Sequence, residues 1–118
     1  GLWNSTSSAL IESPNAAYNA STTLAAGTEG YGIRATTTSN GTGASLGLNL
    51  RYNEGNSAGG LGGSVNAVGG LSTTTLTLAS TPATTSAREV VVTHKAAIDS
   101  NTPGGDYNDT ITYSCVTN

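Results

Sequence analysis

Apolar and polar positions alternate with a period of two through several windows of this chain, and no window carries an apolar stripe of helical period long enough for a stable helix. Tyr31-Gly-Ile33-Arg-Ala35-Thr-Thr37 is one such window, followed by Asn40-Gly41, a pair able to supply the positive φ angles of a tight hairpin. The expected partner is Ala44 to Tyr52, the most regular alternation present, with Ala44, Leu46, Leu48, Leu50 and Tyr52 on an inward face. Leu71 to Ala79 alternates through Leu76 and Leu78 until Pro82 ends it. Glu89 to Lys95 holds three consecutive valines, the mark of a strand covered on both faces. The last run places Tyr107, Ile111, Tyr113 and Cys115 on one side and Asn108, Thr110, Thr112 and Ser114 on the other. A strand that long sits mid-sheet or reaches across to another chain.

The remaining segments are weaker. Residues 1 to 12 gather Leu2, Trp3, Leu10 and Ile11 around a Ser/Thr patch, which predicts an extended segment or edge strand, and Pro14-Asn15 breaks it. Short Ala-rich stretches, Asn15 to Ala20 and Thr23 to Ala26, have room for a single helical turn at most. From Asn53 to Gly70 the glycine pairs Gly59-Gly60, Gly62-Gly63 and Gly69-Gly70 predict turns, bulges or close backbone approach. The chain therefore reads as all-β, one Ig-like or jelly-roll-type β-sandwich over residues 1–118, with 1–20 an N-terminal extended or donor segment.

Composition narrows the setting. Only 9% of the 118 residues are charged and the formal net charge is −3, so a hydroxyl- and amide-rich surface is expected. Four basic residues, Arg34, Arg51, Arg88 and Lys95, generate too little positive field to hold a phosphate backbone, which argues against nucleic acid as a partner. No apolar run approaches the ~20 residues of a membrane-spanning helix. The first residue is Gly1, as expected for a mature secreted product after leader removal. Cys115 is the only cysteine, so the chain holds no disulfide of its own.

Catalytic chemistry is thin. His94 stands within a strand pattern beside Lys95, and Cys115 has inward parity, so a nucleophilic pair needs the two to meet across a sheet. None of Glu12, Glu29, Glu54, Glu89, Asp99, Asp106 and Asp109 sits in an apolar frame that would raise its pKa for acid–base work. Asp99, Asp106 and Asp109 with Asn101 and Asn108 offer oxygen ligands of the calcium type, but their spacing matches no recognised calcium loop. The glycine tract lacks the strand–loop–helix setting of a phosphate cradle. No enzyme activity, metal or cofactor is expected.

The turn from Asp99 to Tyr107 has a clearer logic. Asp99 accepts from amides two residues on, Pro103 presets φ, Gly104 and Gly105 leave it free, and Tyr107 can bond back to the loop as tyrosine corners do. Four Asn-X-Ser/Thr sequons, at Asn4, Asn19, Asn40 and Asn108, are candidate glycan acceptors, although a chain this rich in Asn, Ser and Thr produces several by chance.

Three strings carry a resemblance: Ser21-Thr-Thr-Leu-Ala-Ala-Gly27-Thr-Glu-Gly-Tyr-Gly32, Ala87-Arg-Glu-Val-Val-Val-Thr-His94 and Thr102-Pro-Gly-Gly-Asp-Tyr-Asn-Asp-Thr-Ile-Thr-Tyr113. Over residues 21 to 118 the chain resembles secreted β-sandwich surface proteins of small-genome bacteria. More distantly it is similar to donor-strand fibre subunits such as camelysin-like biofilm fibres and archaeal bundling pili. It departs from that pattern in lacking strands ahead of residues 1 to 20 and in carrying Ser114-Cys115 for the usual threonine and valine. The resemblance implies a subunit of an extracellular, cell-surface filament, a helical homopolymer built by strand donation, in which Leu2, Trp3, Leu10 and Ile11 are the expected anchors. The alternative class is a monomeric adhesin or carbohydrate-binding module that recognises glycans or neighbouring cell surfaces through an aromatic platform of Trp3 with Tyr31 or Tyr52.

Overall fold

A computed structural model describes residues 1–13, 21–55, 61 and 64–116. The fold is all-β, built from antiparallel sheets in a sandwich-like arrangement, with no helix among the described residues. In chain order the strands are β1 (Leu2–Asn4), β2 (Ala9–Ile11), β3 (Ser21–Thr23), β4 (Gly30–Thr37), β5 (Thr42–Gly43), β6 (Gly47–Leu48), β7 (Ala67–Gly69), β8 (Ala79–Ser80), β9 (Thr85–Ser86) and β10 (Val90–Ala97). The main sheet runs β10-β4-β7-β3. The helical turn expected at Asn15 to Ala20 and the first two glycine pairs lie outside the described residues, while Thr23 ends β3 and Ala25 closes only a tight turn with Thr28.

β4 is the strand around which the rest is arranged. Its first six residues are buried, and a buried backbone group must find a partner. Every residue of β4 faces one of β10, from Gly30 opposite Ala97 to Thr37 opposite Val90. The other edge is divided among three distant segments. The Tyr31 amide donates to the Glu12 carbonyl at 3.0 Å, Ile33 pairs with Gly69, and Ala35 receives at 3.0 Å from Glu54 and donates to Tyr52. The Ala35–Asn53 bridge is parallel, an exception in an antiparallel fold.

The hairpin expected between Tyr31–Thr37 and Ala44–Tyr52 does not form. Asn40-Gly41 continues the chain instead of reversing it, because β5 pairs with β9 and β6 with β8. Residues 30–49 therefore run beside 78–97 as one long ribbon, and the offset between partners is the same at Thr37–Val90 as at Leu48–Ala79. Between these points the first strand carries one extra residue, then the second strand does, so two bulges cancel. The positive φ that Gly41 supplies, 85°, goes into a bulge rather than a turn, and Ala87 opposite it is also at φ 53°. Arg88 braces the irregular stretch by donating to the carbonyls of Asn40, Gly43 and Ala44.

Other expectations shift with it. Of Ala44 to Tyr52 only Gly47–Leu48 is strand, and Leu50 is exposed; Asn49 turns the chain by accepting from the Arg51 and Tyr52 amides. Leu71 to Ala79 becomes strand only at Ala79, though Leu71 and Leu78 still pack on the core. The valines of β10 are covered on one face only: Val90 and Val92 pack inward while Val91 faces out, and further along it is Lys95 and Ala97 of the other face that are half-buried. The three valines alternate, as any strand must.

The core gathers Ile33, Ala35 and Tyr52, with Leu48, Leu71, Leu78, Val90, Val92 and Ile111 around them. On the opposite face of β4 the buried Arg34 donates through Nε to Glu54 at 2.6 Å and through a terminal nitrogen to the Ser64 carbonyl at 2.7 Å. Gly69 sits where the turn at Arg51–Tyr52 closes on the sheet. A Cβ there would lie 2.6 Å from the Arg51 carbonyl oxygen and from the Tyr52 ring. Gly69→Ala is expected to lose about 2 kcal/mol of unfolding free energy, by the usual cost of overpacking, read as a lower urea midpoint.

Candidate assembly surface

The N-terminal segment builds the first part of this surface. Asn4 is fully buried, and its side-chain oxygen accepts from the Thr6 and Ser7 amides at 3.0 and 3.1 Å, shaping the turn that folds β2 back on β1. Leu2 then faces Ile11 and Trp3 faces Leu10. The four proposed anchors divide by parity: Ile11 is buried and Leu2 half-buried, while Trp3 and Leu10 form an outward pair, each 46% exposed. Trp3 exchanges two backbone hydrogen bonds with Asn108, at 2.8 and 2.9 Å. In this chain the amino-terminal dozen is therefore a hairpin docked on its own body, not a free extended donor. The sequence showed the apolar residues but not that Asn4 would template a reversal between them.

The Asp99–Tyr107 loop closes next to this hairpin. The Asp99 carboxylate accepts from the Asn101 amide at 2.6 Å, and the Tyr107 hydroxyl donates to the Pro103 carbonyl at 2.9 Å. Gly104 accepts from the Asn4 amide nitrogen, and Gly105, at φ 132°, leaves only 2.7 Å between that nitrogen and the place a Cβ would occupy. No group of three or more His, Cys, Asp or Glu side chains among the described residues is arranged to hold a metal ion.

The sequons fall in different environments. Asn40 is exposed and its amide donates to Glu89 at 2.7 Å; Asn108 is exposed; Asn19 lies outside the described residues. Asn4 is corrected as an acceptor, since its side chain is sealed beneath the Gly104–Gly105 loop of the folded chain. Cys115 is corrected too: it is exposed rather than inward, and the His94 Nδ1 shares a 3.0 Å hydrogen bond with the Tyr31 hydroxyl. An aromatic platform is not assembled, because Tyr31 and Tyr52 are both buried and only Trp3 of the expected set is open.

Two backbone edges stand out. Beyond Asn108 the segment Asp109–Val116 makes no ladder among the described residues, although its residues alternate apolar and polar from Ile111 to Cys115. Ile111 packs against the core; Tyr113, Cys115 and Val116 are exposed. β10 is the other edge. Because the Thr38 amide bonds the Glu89 carbonyl, the alternation of an antiparallel ladder turns the N–H and C=O of Val90, Val92, His94 and Ala96 away from β4. The length of the final run was a signal in the sequence. The openness of β10 was masked by its valines.

A cleft of about 480 Å³ is lined by Leu2, Tyr31, His94, Lys95, Ala96, Asp109, Ile111 and Tyr113. Burial pushes the Tyr31 hydroxyl pKa up, and the Asp109 carboxylate and Tyr113 add to it; burial likewise raises Tyr113, with Tyr52 contributing. No helix among the described residues is long and apolar enough to cross a membrane. No family model, curated protein or solved structure matches the chain.

Asn4→Ala should cost about 1–3 kcal/mol, the loss of a buried polar group's partners, and peptide mass mapping of the native glycoforms should find Asn4 unmodified. Stability should also fall in alkali. The folded chain holds the Tyr31 and Tyr113 protons to higher pH than the unfolded chain, so this contribution is intact below the ordinary tyrosine pKa near ~10 and is lost as pH rises through the raised values. Urea midpoints across that range should drop less steeply in Tyr31→Phe.

Proposed function

We propose that this protein is a non-catalytic structural subunit of an extracellular, cell-surface filament, and that copies join by adding strands to one another's sheets. One observation carries the reading: Ile111–Cys115 alternates apolar and polar residues in sequence, yet Asp109–Val116 makes no ladder among the described residues. A segment of strand-like sequence whose backbone is unpaired can pair with another chain. The composition supports the setting, since a surface of hydroxyls and amides with few charges leaves little self-repulsion between copies. Contact between two different edges of the same molecule is heterologous, and such contacts propagate instead of closing.

The role of Leu2, Trp3, Leu10 and Ile11 changes under this reading. Their hairpin supports the C-terminal segment through Trp3 and Asn108, and the outward Trp3–Leu10 pair adds an apolar contact beside it. The donated element is the C-terminal strand, not residues 1–12. Negative-stain imaging and light scattering of the intact chain should show fibres with a regular subunit repeat, and a chain ending at Asp109 should stay monomeric. A monodisperse monomer across the micromolar range, or fibres undiminished by the truncation, overturns the proposal.

A further inference from the structure

Asn40-Gly41 is the only Asn-Gly pair in the chain, and it stands in the bulged part of the long ribbon, where both residues are exposed. Three side chains close on it. The Asn40 backbone carbonyl accepts from a terminal nitrogen of Arg88 at 3.2 Å, and the Asn40 side-chain amide donates to the Glu89 carboxylate at 2.7 Å. The Thr38 hydroxyl donates to the same Glu89 oxygen at 3.2 Å and accepts from the Asn40 backbone amide at 3.2 Å. A cation is thus placed on the Asn40–Gly41 peptide link and an anion on the side-chain amide nitrogen.

That arrangement favours one reaction. A backbone nitrogen that follows asparagine can attack the asparagine side-chain carbonyl carbon, and glycine has no Cβ to hinder the approach. The attacking form is the nitrogen after loss of its proton, with its charge shared onto the preceding carbonyl oxygen. Arg88 donates to that oxygen, so the guanidinium stabilises the anion and eases the proton off Gly41. At the other end Glu89 fixes the amide nitrogen that has to leave.

We propose that Asn40-Gly41 is a site of spontaneous covalent modification in the folded chain, closing to a succinimide with Arg88 activating the Gly41 nitrogen and opening with water to aspartate or isoaspartate. Hydroxide takes the Gly41 proton, the bond from the Gly41 nitrogen to Asn40 Cγ forms, and the Cγ–Nδ2 bond breaks as ammonia departs with a proton from water. Water then adds to the imide. Breaking the Gly41 N–Cγ bond gives aspartate, and breaking the bond from the Asn40 carbonyl carbon to the Gly41 nitrogen reroutes the backbone through the side chain as isoaspartate. Nothing is oxidised or reduced.

Either product replaces a donor with a carboxylate that faces Glu89, so an attraction becomes a repulsion. Gly41, at φ 85° and hard against the Ser86 carbonyl, leaves little slack for the extra backbone carbon of isoaspartate. The ribbon therefore loosens in its bulged stretch as the chain ages. This does not depend on the self-assembly reading.

A glycan on Asn40 would occupy the leaving nitrogen, so the test uses chain made in a host without asparagine glycosylation. After incubation at neutral pH, peptide mapping with isoaspartyl methyltransferase labelling should find Asn40 converted at least about tenfold faster than any other asparagine. Arg88→Gln should slow the conversion about tenfold in native buffer and leave it unchanged in urea, where the contact is gone. Equal native rates for the two chains overturn the role of Arg88. A second comparison does not depend on the variant folding: wild-type Asn40 should convert at least as fast in native buffer as in urea. An Asn40 that stays intact in the native chain while the urea-unfolded chain converts overturns the proposal. Asn40→Asp should lower the urea midpoint, with part of the loss restored by Glu89→Gln in the same chain; an unchanged midpoint overturns the consequence for the ribbon.

Discussion

The constraint behind this structure is that β4 is buried along most of its length and none of its backbone groups can be left without a partner. One edge is met in full by β10. The other is met piecewise, by Glu12, by Gly69 and by the turn at Tyr52–Glu54. Three regions far apart in sequence are thereby fixed against one strand, and the rest of the fold follows from where they are held. Gly69 has no side chain because Arg51 and Tyr52 must close on it to reach Ala35. Arg34 is buried because Glu54, brought in by the same turn, gives its guanidinium a partner. Tyr52 then spans the gap, donating its hydroxyl to the Gly70 carbonyl at 3.1 Å.

Much of this architecture was legible in the residues. Alternation identified β4 and the run of three valines β10, the glycine pair Gly69-Gly70 announced close approach, and the Asp99–Tyr107 loop has the hydrogen bonds its residue types suggested. What escaped is pairing. Asn40-Gly41 carries the same φ preferences in a hairpin and in a bulge, and only the competition of Thr84–Ser86 for the same backbone decides between them. Val90-Val91-Val92 reads alike in a covered strand and at an edge, since β-propensity does not report neighbours. Asn4 looked like a surface sequon because its use as a buried turn template depends on Gly104 and Gly105, which come a hundred residues later.

The surface itself is of two kinds. Loops and outward strand positions carry threonine, serine and asparagine, many of them bonding to backbone close by, as Ser72 and Thr81 do. Large apolar side chains nevertheless reach solvent at Trp3, Leu10, Leu50, Val65, Val91, Ile98, Tyr113 and Val116. Scattered singly they would need no explanation. Trp3 and Leu10 are direct cross-strand partners, so at this place the exposure is organised by the backbone.

The ribbon of residues 30–49 against 78–97 carries a kinetic consequence. Its innermost pair, Leu48 with Ala79, closes a much shorter loop than its outermost, Gly30 with Ala97, so each rung formed shortens the search for the next. A chain wired in this way can zip from the middle outward despite its long-range contacts, which ordinarily slow β proteins. The two ends of the polypeptide are then gathered last, onto a body already standing.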